Sequence, residues 1–174
     1  MLQEARRLAH ERKLGNVVTA RASADNLPFP DTSFNLVTCR LAAHHFPDPA
    51  AFVREAARVL IPGGSFALVD NISPDDADLA LGYNAFEKLR DPSHGRCLTL
   101  GEWHALMREA GLTPVTSEVI DQDIPFDPWV QRMRCSAATV MLETEPLRVY
   151  LRPRETHDGL TFSLREAIIV AQKI

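Results

Sequence analysis

The sequence predicts an α/β fold, and three observations carry that prediction. Phe34–Cys39 and Ser65–Asp70 are continuous apolar runs that lack the alternation of half-exposed strands, the pattern of parallel strands covered on both faces. Between them Phe52, Val53, Ala56, Val59 and Leu60 recur at helical spacing. A strand, helix, strand unit of this kind closes by a right-handed crossover into parallel neighbours.

The other elements follow in chain order. Leu2, Ala5, Leu8 and Ala9 predict an opening helix, Gly15-Asn16 a turn, and Val17–Ala20 a short strand. Leu27–Asp31 is a turn-rich approach to the first apolar run. Asp48 reads as an N-cap with Pro49 at the first helical position, and Pro62-Gly63-Gly64 as the stop. Ser73-Pro74 opens a helix reaching about Leu89, which Asp91–Gly95 breaks, so this part reads as an insertion over the sheet. Thr99 and Glu102 form a capping box, Leu100, Trp103, Leu106, Met107 and Ala110 continue the helical face, and Gly111 ends it. Pro114–Ile124 reads as a strand, Pro128–Leu147 as helix in two pieces, and Leu160–Ser163 and Ala167–Ala171 as two closing strands.

Composition narrows the function classes. The 174 residues suit one domain with a real core, and 45% hydrophobic with 24% charged residues is ordinary globular composition. A net charge of -4 gives no basic footprint for nucleic acid, and a small-molecule partner is expected instead. No apolar run approaches the roughly 18 residues of a membrane span. Cys39, Cys97 and Cys135 are widely separated and odd in number, which fits a reduced, cytoplasmic setting and neither a disulfide framework nor a zinc site. The sequon at Asn71 is expected to stay unmodified there.

"ASADNLPFPDTSFNLVTCRLAAHHFPDPAAFVREAARVLIPGGSFALVD", with "RDPSHGRCLTLGEWHALMREAGL" and "SLREAIIVAQK" further on, resembles the class I S-adenosylmethionine-dependent methyltransferases. The likeness is to the type 11 group, similar to the ubiquinone and menaquinone C-methyltransferases. It implies a Rossmann-like methyltransferase sheet in a single domain over residues 1–174, with helical lid or substrate-side segments at 73–110 and 125–158. It also implies S-adenosylmethionine as cofactor and a small-molecule methyl acceptor.

Two of that family's features are absent from this sequence. No two of the eight glycines are separated by one residue as the family's cofactor loop requires, and Gly63-Gly64 follows a helix rather than a strand. The acidic residue that normally ends the second strand is likewise missing. Residues 1–5 resemble the family's second helix, so the chain is expected to be N-terminally truncated, without the first two strands and first helix. Weak cofactor binding follows as an expectation, and so does a non-catalytic binding module as the rival reading. A dehydrogenase would need the same missing glycine fingerprint. In the resembled strand order, 3-2-1-4-5-7-6, the loss leaves Phe34–Cys39 as an unpaired edge. A homodimer joined at that edge or by exchanged elements is then expected.

The resemblance also assigns site residues. Ser23 and Ala24 stand where the family reads the adenine edge, although Ser23 could equally cap a turn, and Leu27 closes that segment. Asn35 replaces the family's usual Asp. Arg40 and Leu41 end the first apolar strand, where open α/β sheets bind ligands, and Arg40 takes the place beside the cofactor's amino-acid end or pairs with a surface acid. His44 and His45 follow directly. One could serve as a general base, and one could instead cap a helix or pack beneath the loop. A metal centre of His44, His45 and Asp48 is disfavoured, because adjacent residues rarely converge on one ion. Among the aromatics, Tyr83 and Phe86 in the lid segment are the candidates for a substrate wall, while Phe29, Phe46, Trp103 and Trp129 read as core.

Overall fold

A computed structural model describes residues 2–132 and 145–174 of the chain. Helix α1 (Leu2–Glu11) is followed by a long irregular connection to strand β1 (Phe34–Arg40). A short 3-10 turn (Ala43–His45), helix α2 (Pro49–Val59) and strand β2 (Leu60–Asn71) come next, then helices α3 (Ala77–Arg90) and α4 (Leu100–Glu109). Strand β3 (Leu112–Pro125), helices α5 (Phe126–Gln131) and α6 (Leu147–Leu151), and strands β4 (Arg154–Thr156) and β5 (Gly159–Lys173) complete the order. The sheet runs β1-β2-β5-β3, with β4 paired to β5. As the apolar runs predict, β1 and β2 are parallel, and β5 is antiparallel to both β2 and β3.

Helix α2 forms where its caps predict. Asp48 Oδ1 accepts the Ala51 N–H at 2.9 Å, and Pro49 fills the first position, where no amide partner is needed. From its buried face Phe52, Val53, Ala56 and Ala57 join Phe66 and Leu68 of β2, Ile169 and Ala171 of β5, and Trp103 and Met107 of α4 in one core. Burying a side chain such as Phe52 there contributes on the order of 2 kcal/mol. Thr99 and Glu102 make the full reciprocal capping box of α4. A second core gathers six aromatic residues, Tyr83, Phe86, Phe126, Trp129, Tyr150 and Phe162. Phe86 stacks on Trp129 at 5.0 Å between centroids, and the Arg90 guanidinium lies 4.7 Å above the Trp129 ring.

The structure corrects several expectations. Val17–Ala20 forms no strand, and Val18 is 92% exposed, because nothing in the sheet offers that segment a ladder. Strand β1 is not covered on both faces: Cys39 is its one buried residue and Leu36 is 56% exposed. Helix α1 buries no residue and therefore shields no part of the sheet. Helix α2 ends at Val59, before Pro62-Gly63-Gly64, which instead lies inside β2 at an irregularity between the Phe34–Leu60 and Leu36–Ser65 pairs. A Cβ on Gly64 would stand 2.9 Å from the Ile61 carbonyl oxygen, so this irregularity requires glycine.

Helix α3 starts at Ala77 rather than at Ser73, since Asp76 supplies the cap through the Leu79 N–H at 2.9 Å. The two closing strands are one strand of 15 residues, because Leu164–Glu166 keep pairing with β3. The 125–158 segment holds α5 and α6 but also strand β4. Cys135 and the helix expected across 133–144 lie outside the described residues. No described helix is long and apolar enough to cross a membrane.

Candidate active site

The carboxyl ends of β1 and β2 bring the candidate residues Arg40, Leu41, His44 and His45 together with Asp70. After Arg40 the chain leaves β1 through Leu41, whose φ of 49° is a left-handed conformation uncommon for a branched side chain. The Leu41 N–H donates to the Val69 carbonyl at 2.8 Å, which fastens this bend to β2. Strain of this kind persists only where its surroundings enforce it, and it gathers at functional sites. Ala43, wholly buried, then anchors the 3-10 turn that carries His44 and His45.

The turn sets His44 over the end of β2, against Asp70. His44 Nδ1–H donates to Asp70 Oδ1 at 2.5 Å, and the His44 backbone N–H donates to Asp70 Oδ2 at 2.9 Å. The Asn71 N–H donates to Oδ1 at 2.9 Å as well. A carboxylate with three donors needs no added proton, so Nδ1 of His44 carries the hydrogen and Nε2 is the basic atom of the neutral ring. Among the described residues Nε2 has no hydrogen-bond partner. Burial pushes the His44 imidazole down, but the Asp70 hydrogen bond and charge, with Glu87 and Asp91 beyond, outweigh it and raise the ring above its ordinary value.

His45 is held differently. Its Nδ1 donates to the Ser93 carbonyl at 3.1 Å, and its ring centroid lies 4.1 Å from that of His44. The Asp91–Arg96 loop wraps the pair, with Gly95 and Arg96 N–H groups both donating to the His44 carbonyl, at 2.9 and 3.0 Å. From that loop the buried His94 ring stacks on His44 at 5.6 Å. Burial, reinforced by the positive charges of His44 and His45, lowers His94 to about 4. Glu87, also buried, is pushed up to about 6 by burial, with the Tyr83 hydroxyl 3.4 Å away.

The expected cofactor residues divide into groups. Ser23 is exposed, donates to the Asp25 carboxylate and bridges to Asn26, which is the turn-capping alternative. Ser23 and Ala24 border a small cavity with Phe46, Pro47, Asp48 and Phe52, so they stand beside the loop that leaves the histidines. Leu27 belongs elsewhere: Glu55 accepts its N–H at 2.8 Å, and it lines a separate hollow with Phe34 and Leu36. Arg40 is exposed at the end of β1, within electrostatic reach of Glu166.

Tyr83 and Phe86 are wholly buried in the second core, so they present no wall to a ligand, and this expectation is corrected. They lie on the face of α3 that packs inward. Ala77, Ala80, Leu81 and Asn84, on another face, line a cleft of about 610 Å³. Asp48 is occupied as the α2 cap, and among the described residues no group of three or more His, Cys, Asp or Glu side chains could hold a metal ion.

Asp70, Asn84, Glu87 and His94 are the site residues that sequence reasoning missed. For Asp70 a signal existed, an acid at the carboxyl end of an otherwise apolar parallel strand. For the other three, the link to His44 runs through the ring contact of His94, the Asn84–His94 hydrogen bond and the charge of Glu87, and has no local trace.

The mixed sheet, with its two parallel strands ending at the histidine turn, is the sheet of the Rossmann-like methyltransferases. A family described as a methyltransferase domain matches residues 1–68. YcgJ of Bacillus subtilis (strain 168), named an uncharacterized methyltransferase, is 42% identical over 132 residues, covering 76% of this chain and 52% of YcgJ. YafE of Escherichia coli (strain K12), named an uncharacterized protein, is 35% identical over 167 residues, covering 95% of this chain and 78% of YafE. The crystal structure of Bacillus subtilis YcgJ superposes with a TM-score of 0.90 at 34% identity, covering 99% of this chain and 78% of that one. The chain thus spans about half the length of curated YcgJ. It belongs to the class I S-adenosylmethionine-dependent methyltransferases.

Proposed function

We propose that the protein transfers a methyl group from S-adenosylmethionine to a small-molecule acceptor in the cytoplasm, with His44 as the base. The observation that carries this reading is the His44–Asp70 pair at the carboxyl ends of two parallel strands. The residues present fit the cofactor in part. Ser23 and Ala24 would border its adenine, and Arg40 and Leu41 its amino-acid side, while no glycine loop of the GxG kind stands among the eight glycines. When bound, the cofactor supplies an electrophilic methyl group. The chain's own contribution is to orient the acceptor and to take its proton at His44 Nε2, leaving an imidazolium that Asp70 stabilises.

Replacing His44 by alanine is expected to lower turnover by about two to four orders of magnitude with cofactor affinity unchanged, and Asp70→Asn to lower it less. Methyl transfer from radiolabelled S-adenosylmethionine, with calorimetry for affinity, tests this. Unchanged turnover in His44→Ala would remove the histidine from the mechanism. His45→Ala, by contrast, should leave a working base, since a neutral carbonyl of Ser93, and no carboxylate, stands behind the His45 ring to stabilise an imidazolium.

For the chain as it stands, S-adenosylmethionine is expected to bind more weakly than micromolar, because only the adenine side and the β1 end are provided. A micromolar dissociation constant in calorimetry would mean that another segment replaces the glycine loop.

A homodimer belongs to the same reading. The outer edge of β1 pairs with no strand among the described residues, and Leu36 and Phe29 lie exposed beside it. A specific association there should bury more than about 1,000 Å², and light scattering showing a monomer at high concentration would overturn it.

A further inference from the structure

Besides His45, a second ring lies against His44, and it comes from the far side of the lid. His94 is 2% exposed, and its ring planes with His44 at 30° with centroids 5.6 Å apart. His94 Nε2 lies 2.9 Å from Asn84 Oδ1. The amide of Asn84 has one workable orientation. Its Oδ1 accepts the Cys97 N–H at 2.7 Å, and its Nδ2 donates to the Ala80 carbonyl at 2.9 Å and reaches the Cys97 carbonyl at 3.4 Å. An oxygen facing these partners can only accept from His94, so Nε2 of His94 carries the hydrogen. Asn84 thus fixes both the tautomer and the plane of the ring.

We propose that His94, oriented by Asn84, is a positioning residue for His44, its neutral ring holding the His44 imidazole against Asp70 and supporting that imidazole when it takes a proton. The backbone serves the same end. Gly95 and Arg96 clamp the His44 carbonyl, and a Cβ on Gly95 would lie 3.1 Å from that oxygen, so the loop sits as close as glycine permits. Lys88 Nζ donates to the His94 carbonyl at 3.1 Å and ties the loop back to α3.

The charged and titratable groups around His44 come from every neighbouring element. They are Asp70 from β2, His45 from its own turn, Asp91 and His94 from the loop, and Glu87 from α3. Asp70, Glu87 and Asp91 favour the imidazolium. A second imidazolium at His94 would oppose it, and burial keeps that ring neutral in the working range. A cation against the face of a neutral aromatic ring is attracted to it, and at a partly exposed position this raises a titration midpoint by about half a pH unit.

The experiment follows the histidine ring nitrogens of the full chain, ¹⁵N-labelled, through a pH titration. His94→Gln keeps an N–H for Asn84 but removes the ring, and His94→Phe keeps a ring but removes the N–H. The His44 midpoint should fall by about half a pH unit in His94→Gln and stay near the parent value in His94→Phe. An unmoved midpoint in His94→Gln, or an equal fall in both variants, would overturn the role of the ring. Should either variant not fold, Asn84→Ala decides. Loss of the Nε2–H tautomer of His94 with a falling His44 midpoint supports the role, and an unmoved His44 overturns it. Only the kinetic arm depends on His44 being the base: kcat per folded molecule, with the folded fraction counted from the NMR signals, should drop about fivefold in His94→Gln with KM unchanged.

Discussion

Replacing Glu87 by glutamine is expected to stabilise the protein by about 2 kcal/mol near pH 8, and far less near pH 4.5. Glu87 is 4% exposed, and burial raises its carboxyl from 4.5 to about 6, against the opposing pull of Arg90 and His44. A folded-state value above the unfolded one means that the native protein binds this proton more tightly. The stability it confers is complete below 4.5 and is lost as pH rises through about 6, after which the fold carries a buried carboxylate. The separation between the two values corresponds to about 2 kcal/mol. Glutamine avoids that cost and keeps an oxygen for the Tyr83 hydroxyl. Urea unfolding of both proteins at the two pH values measures the difference, and an equal gain at both would show that the carboxyl is not the cause.

Acid should act through His94 with the opposite sign. Its imidazole is lowered from 6.5 to about 4, so the unfolded chain binds this proton more tightly than the native protein does. The stability is present above 6.5 and is lost as pH falls through the interval to about 4, by about 3 kcal/mol in full. His94→Phe removes the titrating group. Its stability relative to the parent should therefore rise by that amount between pH 7 and pH 4, read again from urea midpoints. A parent and variant that lose stability in parallel would place the acid sensitivity elsewhere.

Part of this arrangement was legible from the residues and part was not. The β1-α2-β2 unit could be read because its signals are local: two unbroken apolar runs, an Asp-Pro cap and a helical stripe. His44 and His45 could be read as candidates because they stand where an apolar strand ends. Telling them apart could not be done locally, since the distinction lies in Asp70, 26 residues on, and in Ser93, 48 residues on from His45. Tyr83 and Phe86 misled for a related reason. Aromatic residues on a lid helix suit either a ligand or a core, and the choice depends on Trp129, Tyr150 and Phe162, which arrive from other elements. Val17–Ala20 had strand-forming side chains without a neighbour to pair with, and local preference alone does not make a strand.

The interior place of β5 governs when the protein can fold. Strands β2 and β3 do not pair with each other; each pairs with Gly159–Lys173, which supplies Phe162, Leu164, Ala167, Ile169 and Ala171 to the two cores. A nascent chain ending before Gly159 holds a two-stranded parallel ribbon and a detached β3, with Phe66, Leu68 and Leu112 missing their partners. Chains released at residue 158 should remain collapsed, protease-sensitive and prone to aggregate, while a separate peptide of residues 159–174 should rescue them by inserting as the central strand. Assembly through contacts so distant along the chain is slow, and the sheet can close only after β5 has emerged.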